Sequence, residues 1–139
     1  MPTPANMKAL VYACFDPKVW PSVADIFNER FGRGNYFLYT DPGAAKNLVS
    51  PPLGFNVPRA VITKMKAAYA LHSFKTIIII NHSKCGAYKL AGKEFNDQNR
   101  EAEFHKRELE KAARILKKEF PKLTVETHYF LKEEDRMKW

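Results

Sequence analysis

At 139 residues and 45% hydrophobic content the chain suits one globular domain spanning 1–139, with a real core and no sign of disorder. Its 23 Lys and Arg against 15 Asp and Glu give a net charge of +8, but much of that charge lies between Arg100 and Glu119, where seven basic and five acidic residues interleave as on a solvated helix face. No recognition motif accompanies the basic residues, so nucleic acid is not an expected partner, and no apolar run approaches the roughly 20 residues that cross a bilayer.

Met7 to Ala13 is the first expected strand, ending in the apolar run Ala9-Leu10-Val11-Tyr12-Ala13 just before Cys14. A short loop through Asp16 and Pro17 leads to a helix from about Pro21 to Phe31, with Val23, Ile26, Phe27 and Phe31 on one face and Gly32 and Gly34 ending it. Asn35 to Thr40 reads as the second strand. Asp41 to Pro58 is rich in turn signals, Asp41-Pro42-Gly43 and Ser50-Pro51-Pro52 among them, and is expected to be a long ordered loop bordering a functional site.

A second helix is expected from about Arg59 to Leu71, with Val61, Met65, Ala68 and Tyr69 forming its apolar face. It feeds the unbroken run Ile77-Ile78-Ile79-Ile80, whose lack of alternation argues for a strand covered on both faces and hence for a parallel sheet. Gly86 to Leu90 should begin a helix, and a longer one should run from about Asp97 to Phe120, with Leu109, Ala112, Leu116 and Phe120 buried and Pro121 terminating it. Leu123 to Phe130 is the last expected strand. The alternation predicts an α/β three-layer sandwich around a four-stranded parallel sheet of order 2-1-3-4, with its ligand site beyond the carboxyl ends of strands one and three.

Those two strand ends carry the chemistry. Cys14-Phe15-Asp16-Pro17-Lys18 follows strand one, and His82-Ser83-Lys84-Cys85-Gly86-Ala87 follows strand three. Two thiolates and an imidazole favour Zn²⁺, which takes sulfur at about 2.3 Å and nitrogen at about 2.0 Å in a tetrahedron. Asp16 either fills the fourth position, closing the site, or stands back and accepts a hydrogen bond from a zinc-bound water. Taken singly the residues have plainer uses: a buried cysteine behaves as a small hydrophobe and a lone histidine often caps or pairs. The two cysteines are far apart in sequence and Met1 to Asn6 lacks the apolar centre of a signal peptide, so a reducing cytoplasm is the expected location.

Over roughly Met7 to Gly92 the sequence resembles the β-class carbonic anhydrases, whose pattern is C-x-D-x-R after the first strand and H-x-x-C-G after the third. The resemblance implies that Cys14, His82 and Cys85 are zinc ligands, and that Asp16 is the fourth ligand or the acceptor orienting hydroxide on the metal. It also implies a lyase interconverting CO₂ and bicarbonate, working as a homodimer with its site near the subunit interface. Zinc in such a site lowers the pKa of a bound water from about 15.7 toward ~7, and the hydroxide attacks CO₂. Two thiolates make zinc a poorer Lewis acid, which raises the importance of Asp16. A non-catalytic zinc domain of the same fold, with a binding or regulatory role, is the alternative.

The chain departs from the family at several positions. Lys18 stands where the family carries the arginine that pairs with the aspartate, offering a point charge without a planar fork, and is the expected tuner of Asp16. The family's segment after strand two appears as Thr40-Asp41-Pro42-Gly43-Ala44, and Asn81 replaces the usual glycine before the histidine. The family's helical N-terminal arm is not expected before a first strand that starts at Met7. His72, His105 and His128 are candidate proton carriers outside any motif, with His105 expected to be solvated on its charged helix. Tyr36, Phe37, Tyr39 and Phe55 could wall a pocket for a small uncharged substrate, core packing being their plainer use.

Overall fold

The computed structural model describes residues 6–51 and 56–139. Its core follows from the two apolar runs. β1 (Ala9–Cys14) is buried at every position, and β3 (Thr76–His82) at all but its first, as expected of central strands with helices on both faces. They pair in parallel, Leu10 opposite Ile77 through Ala13 opposite Ile80. β2 (Phe37–Asp41) lies on the outer side of β1 and β4 (Thr124–Leu131) on the outer side of β3, both parallel.

The isoleucine run divides its side chains between two cores because successive residues of a strand point to opposite faces. Ile77 and Ile79, with Leu10 and Tyr12, pack against α2 (Lys46–Val49), α3 (Val57–Leu71) and α5 (Gln98–Glu119) through Leu48, Val61, Met65, Leu109 and Leu116. Ile78 and Ile80, with Val11 and Ala13, pack against Val19 and against Val23 and Phe27 of α1 (Trp20–Phe31). The result is the expected three-layer α/β sandwich. Pro21 and Pro58 sit in the first turns of α1 and α3, where no hydrogen bond is lost. Asp97 caps α5, its side chain accepting from the backbone N–H groups of Asn99 and Arg100.

Three features differ from the sequence reading. The sheet has five strands in the order β2-β1-β3-β4-β5, because β5 (Arg136–Met137) adds an antiparallel edge against Phe130 and Leu131. Two residues are too few to show any periodicity. The segment read as a loop from Asp41 to Pro58 contains α2, and α3 begins at Val57, two residues before the expected start; residues 52–55 lie outside the described part. Strand β3 runs on through His82, so the histidine is the strand's last residue rather than part of the loop beyond it. Among the described residues, no helix is long and apolar enough to cross a membrane.

Candidate metal centre at the ends of β1 and β3

Cys14 closes β1, His82 closes β3, and Cys85 caps the short helix α4 (Gly86–Leu90). Since β1 and β3 are neighbours, their carboxyl ends meet at the point where strand order reverses, the usual ligand position in such sheets. One ligand atom from each of Cys14, His82 and Cys85 lies within 4.8 Å of the others, and all three residues are buried. The two sulfurs are 4.0 Å apart and free of a disulfide.

The turn from His82 to Cys85 is held by specific contacts. Lys84 has φ of +51°, a left-handed conformation that costs a non-glycine residue about 1–2 kcal/mol, and its N–H donates to the buried carboxylate of Glu101 at 2.9 Å. Ser83 N–H donates to the carbonyl of Phe130 at 3.0 Å, tying the turn to the end of β4. On the opposite side, Gly43 donates its N–H to Cys14 Sγ at 3.4 Å. Its φ of +80° and the Ala87 Cβ and Lys46 Cβ that an added Cβ would meet at 3.1 Å explain why glycine is needed there.

The donor set suits a metal cation. His82 Nδ1–H donates to the carbonyl of Ser83 at 2.6 Å, which fixes the tautomer and leaves the lone pair on Nε2. That Nε2 is buried and has no hydrogen-bond partner, a costly state for a polar atom unless something else fills its coordination. The two sulfurs are within hydrogen-bonding distance of one another. The hydrogen bond from Cys85 pulls the Cys14 thiol down against its burial, with help from the Gly43 N–H, while the same bond and burial push Cys85 up. A cation replacing the shared proton would be bound by both sulfurs as thiolates.

Asp16 sits beside this trio with both carboxylate oxygens engaged. Oδ1 accepts the backbone N–H of Lys18 at 2.8 Å, and Oδ2 pairs with Lys132 Nζ at 2.7 Å. Burial would raise this carboxyl, but the Lys132 ammonium and the Lys18 N–H outweigh it and hold Asp16 below the usual carboxylate range. The ammonium on Asp16 is therefore that of Lys132, a residue the sequence reading did not single out, whereas Lys18 is exposed and reaches Asp16 through its backbone.

The site opens into a cleft of about 1010 Å³ lined by Phe15, Pro17, Pro42, Ala87 and Leu90, together with the Lys89–Glu94 ion pair. These are not the aromatic residues expected to wall a pocket. Phe37 and Tyr39 pack against the core, Tyr36 donates its hydroxyl to Ala24 O and Asn28 Oδ1, and Phe55 lies outside the described residues.

His105 also corrects the sequence reading: it is 1% exposed, not solvated. Its Nδ1 accepts from Asn81 Nδ2 at 3.0 Å, and its ring packs edge-on to Tyr88 and stacked on Tyr129. Ala102, His105, Leu109, Ala112 and Leu116 form one helical stripe, and that spacing was the available signal. His128 meets Glu126 and the Trp139 carbonyl, and His72 packs near Phe37.

No protein-family model matches the sequence. It is 42% identical over 59 residues to an uncharacterized protein of Rickettsia bellii, a match covering 41% of this chain and 36% of that protein. It is 28% identical over 120 residues to an uncharacterized protein of Rickettsia conorii, covering 85% of this chain and 64% of that one. The chain thus matches less than two thirds of the length of either relative. Among solved structures it is similar to a tetrameric β-carbonic anhydrase of Sordaria macrospora, with a TM-score of 0.67 and 16% identity over 96% of this chain and 80% of that one. The β-carbonic anhydrase CafA of Aspergillus fumigatus matches with a TM-score of 0.53 and 15% identity over 96% of this chain and 75% of that one. The fold is that of the β-carbonic anhydrases.

Proposed function

We propose that this chain is a zinc-dependent lyase that interconverts CO₂ and bicarbonate. The observation that carries the reading is the partnerless, buried Nε2 of His82 beside two sulfurs, in the fold of the β-carbonic anhydrases. Cys14, Cys85 and His82 would hold the ion and leave a fourth position, the arrangement of a catalytic rather than a closed structural site. Zinc bound there supplies Lewis acidity strong enough to make water a nucleophile near neutral pH.

The remaining parts are residues of the chain. Asp16, kept ionised and oriented by Lys132 and the Lys18 N–H, accepts a hydrogen bond from the nucleophile and aims its lone pair at the substrate. Phe15, Pro17, Pro42, Ala87 and Leu90 give the cleft apolar walls that admit a small uncharged molecule. Phe15 is 57% exposed and Leu90 93%, apolar surface that a second copy of the chain would cover in a homodimer.

Stopped-flow CO₂ hydration on zinc-analysed protein, at neutral and alkaline pH, tests the assignment. Zinc-loaded wild type is expected to accelerate hydration, and Asp16→Ala to retain zinc while losing at least about 100-fold in rate, the scale of a positioned acid–base group. Zinc-loaded wild type inactive at every pH overturns the enzyme assignment in favour of a binding role, and full activity in Asp16→Ala overturns the role of the carboxylate.

A further inference from the structure

We infer that Lys132 is a positioning residue for the metal centre: held in place by Ser83, its ammonium keeps the Asp16 carboxylate off the ion and so leaves a coordination position open to small exogenous ligands. This rests on the assignment of Cys14, His82 and Cys85 as metal ligands.

The argument begins with what Asp16 would otherwise do. It lies two residues beyond Cys14, and carboxylate oxygen is a competent zinc ligand. An anion so close to a dication turns toward it unless both its oxygens are committed elsewhere. Here they are, through the 2.7 Å ion pair with Lys132 and the 2.8 Å bond from the Lys18 N–H. An arginine could supply both contacts with one planar fork; lysine is a point charge and satisfies one oxygen, so two separate donors share the task.

Lys132 immediately follows β4, and its position is fixed from the metal-binding turn itself. Its backbone N–H donates to Ser83 Oγ at 2.8 Å, and Ser83 Oγ donates to Glu133 Oε2 at 2.8 Å. The Ser83 hydroxyl therefore uses its donor and an acceptor on two consecutive residues after β4. The parallel register that sets His82 opposite Phe130 brings these two segments side by side. The Lys132 and Asp16 side chains are only 26% and 17% exposed, so the pair is less screened than an ordinary surface bridge. The second residue of the His82-to-Cys85 turn thus positions the cation that governs the first segment's carboxylate.

The test uses the cobalt(II)-substituted protein and thiocyanate, whose binding to the ion shifts the visible absorption bands. Wild type and Lys132→Arg are expected to bind thiocyanate with similar affinity. Lys132→Gln is expected to bind it at least tenfold more weakly because Asp16 occupies the position, and Lys132→Gln/Asp16→Asn to regain wild-type affinity at the same net charge as wild type. Ser83→Ala, which keeps the ammonium and removes its tether, should weaken binding in the same direction. Unchanged affinity in both Lys132→Gln and Ser83→Ala, or a loss that persists in the double variant, overturns the inference while leaving the metal assignment standing. Wild type that takes up no cobalt, with no sulfur-to-cobalt charge-transfer band, overturns the metal assignment and this inference with it.

Discussion

The Nδ1 of His82 lies 2.6 Å from the carbonyl oxygen of Ser83, so the next residue in the chain fixes which ring nitrogen faces the two sulfurs. A ligand oriented by its own backbone needs no distant partner, and Cys14 and Cys85 then complete a set that no single segment could provide. Purified protein is expected to carry about one zinc per chain, and His82→Ala or Cys85→Ser to carry far less, as read by elemental analysis. Zinc at 100 times its dissociation constant should stabilise wild type by about 2.7 kcal/mol in denaturant titrations and leave Cys85→Ser nearly unchanged. Equal zinc content in wild type and both variants would refute the trio.

Gly43 acts on the same centre from the other side. Gly43→Ala puts a Cβ 3.1 Å from Ala87 Cβ and forces an alanine into a left-handed backbone, disturbing the N–H that reaches Cys14 Sγ. We expect a stability loss of about 1–2 kcal/mol and a zinc affinity lower by roughly 10–100-fold, the scale seen when groups supporting a ligand are removed. Competition with a chromogenic chelator measures the second effect, and unaltered affinity would show that the Gly43 contact does not support the ligand.

The buried His105 predicts a pH dependence. Burial pushes its pKa from 6.5 down to about 3, so the folded chain keeps the ring neutral where the unfolded chain protonates it. Above pH 6.5 neither state binds the proton and the full stability is present; as pH falls from 6.5 toward 3 the unfolded state gains it and stability is lost, by at most about 1.4 kcal/mol per pH unit from this group. His105→Phe removes that dependence but leaves Asn81 Nδ2 without this acceptor. It should be about 1–3 kcal/mol less stable at pH 7, with a flatter stability profile between pH 6.5 and 4.5 in urea titrations. A slope as steep as wild type's would assign the acid sensitivity to other groups.

Leu116, fully buried, joins α5 to the core on the sheet face that carries Ile77 and Ile79. Leu116→Ala should cost roughly 2–5 kcal/mol in equilibrium unfolding, the range for deleting a packed leucine where neighbours cannot close the gap. Loss below about 1 kcal/mol would mean that the helix readily repacks against the sheet.

What could be read in the sequence was what local pattern controls. The run Ile77 to Ile80 required a strand covered on both faces, and two apolar segments each followed by cysteine or histidine placed the candidate ligands at neighbouring strand ends. Contacts set by tertiary register left no such mark. Lys132 sits in the charged run Lys132-Glu133-Glu134-Asp135, and nothing in its neighbours marks it as the partner of Asp16; only the register of β3 with β4 brings it there. The four-residue α2 lay hidden among turn-forming residues, and β5 pairs because the turn after Leu131 folds the chain back. The charged composition of α5 masks the burial of His105, although its spacing from Leu109 and Leu116 is that of the buried stripe.

The side-by-side arrangement of β1 and β3 also governs how the chain comes apart. Between those strands the polypeptide makes a long excursion through α1, β2, α2 and α3, so in the unfolded ensemble the sulfur of Cys14 and the imidazole of His82 are rarely neighbours. An ion clasping them would act as a reversible staple across that excursion, curtailing the freedom of the unfolded chain much as a cross-link does. Amide exchange should then be slowest in the paired centre of β1 and β3, and the two-residue β5 should fray first.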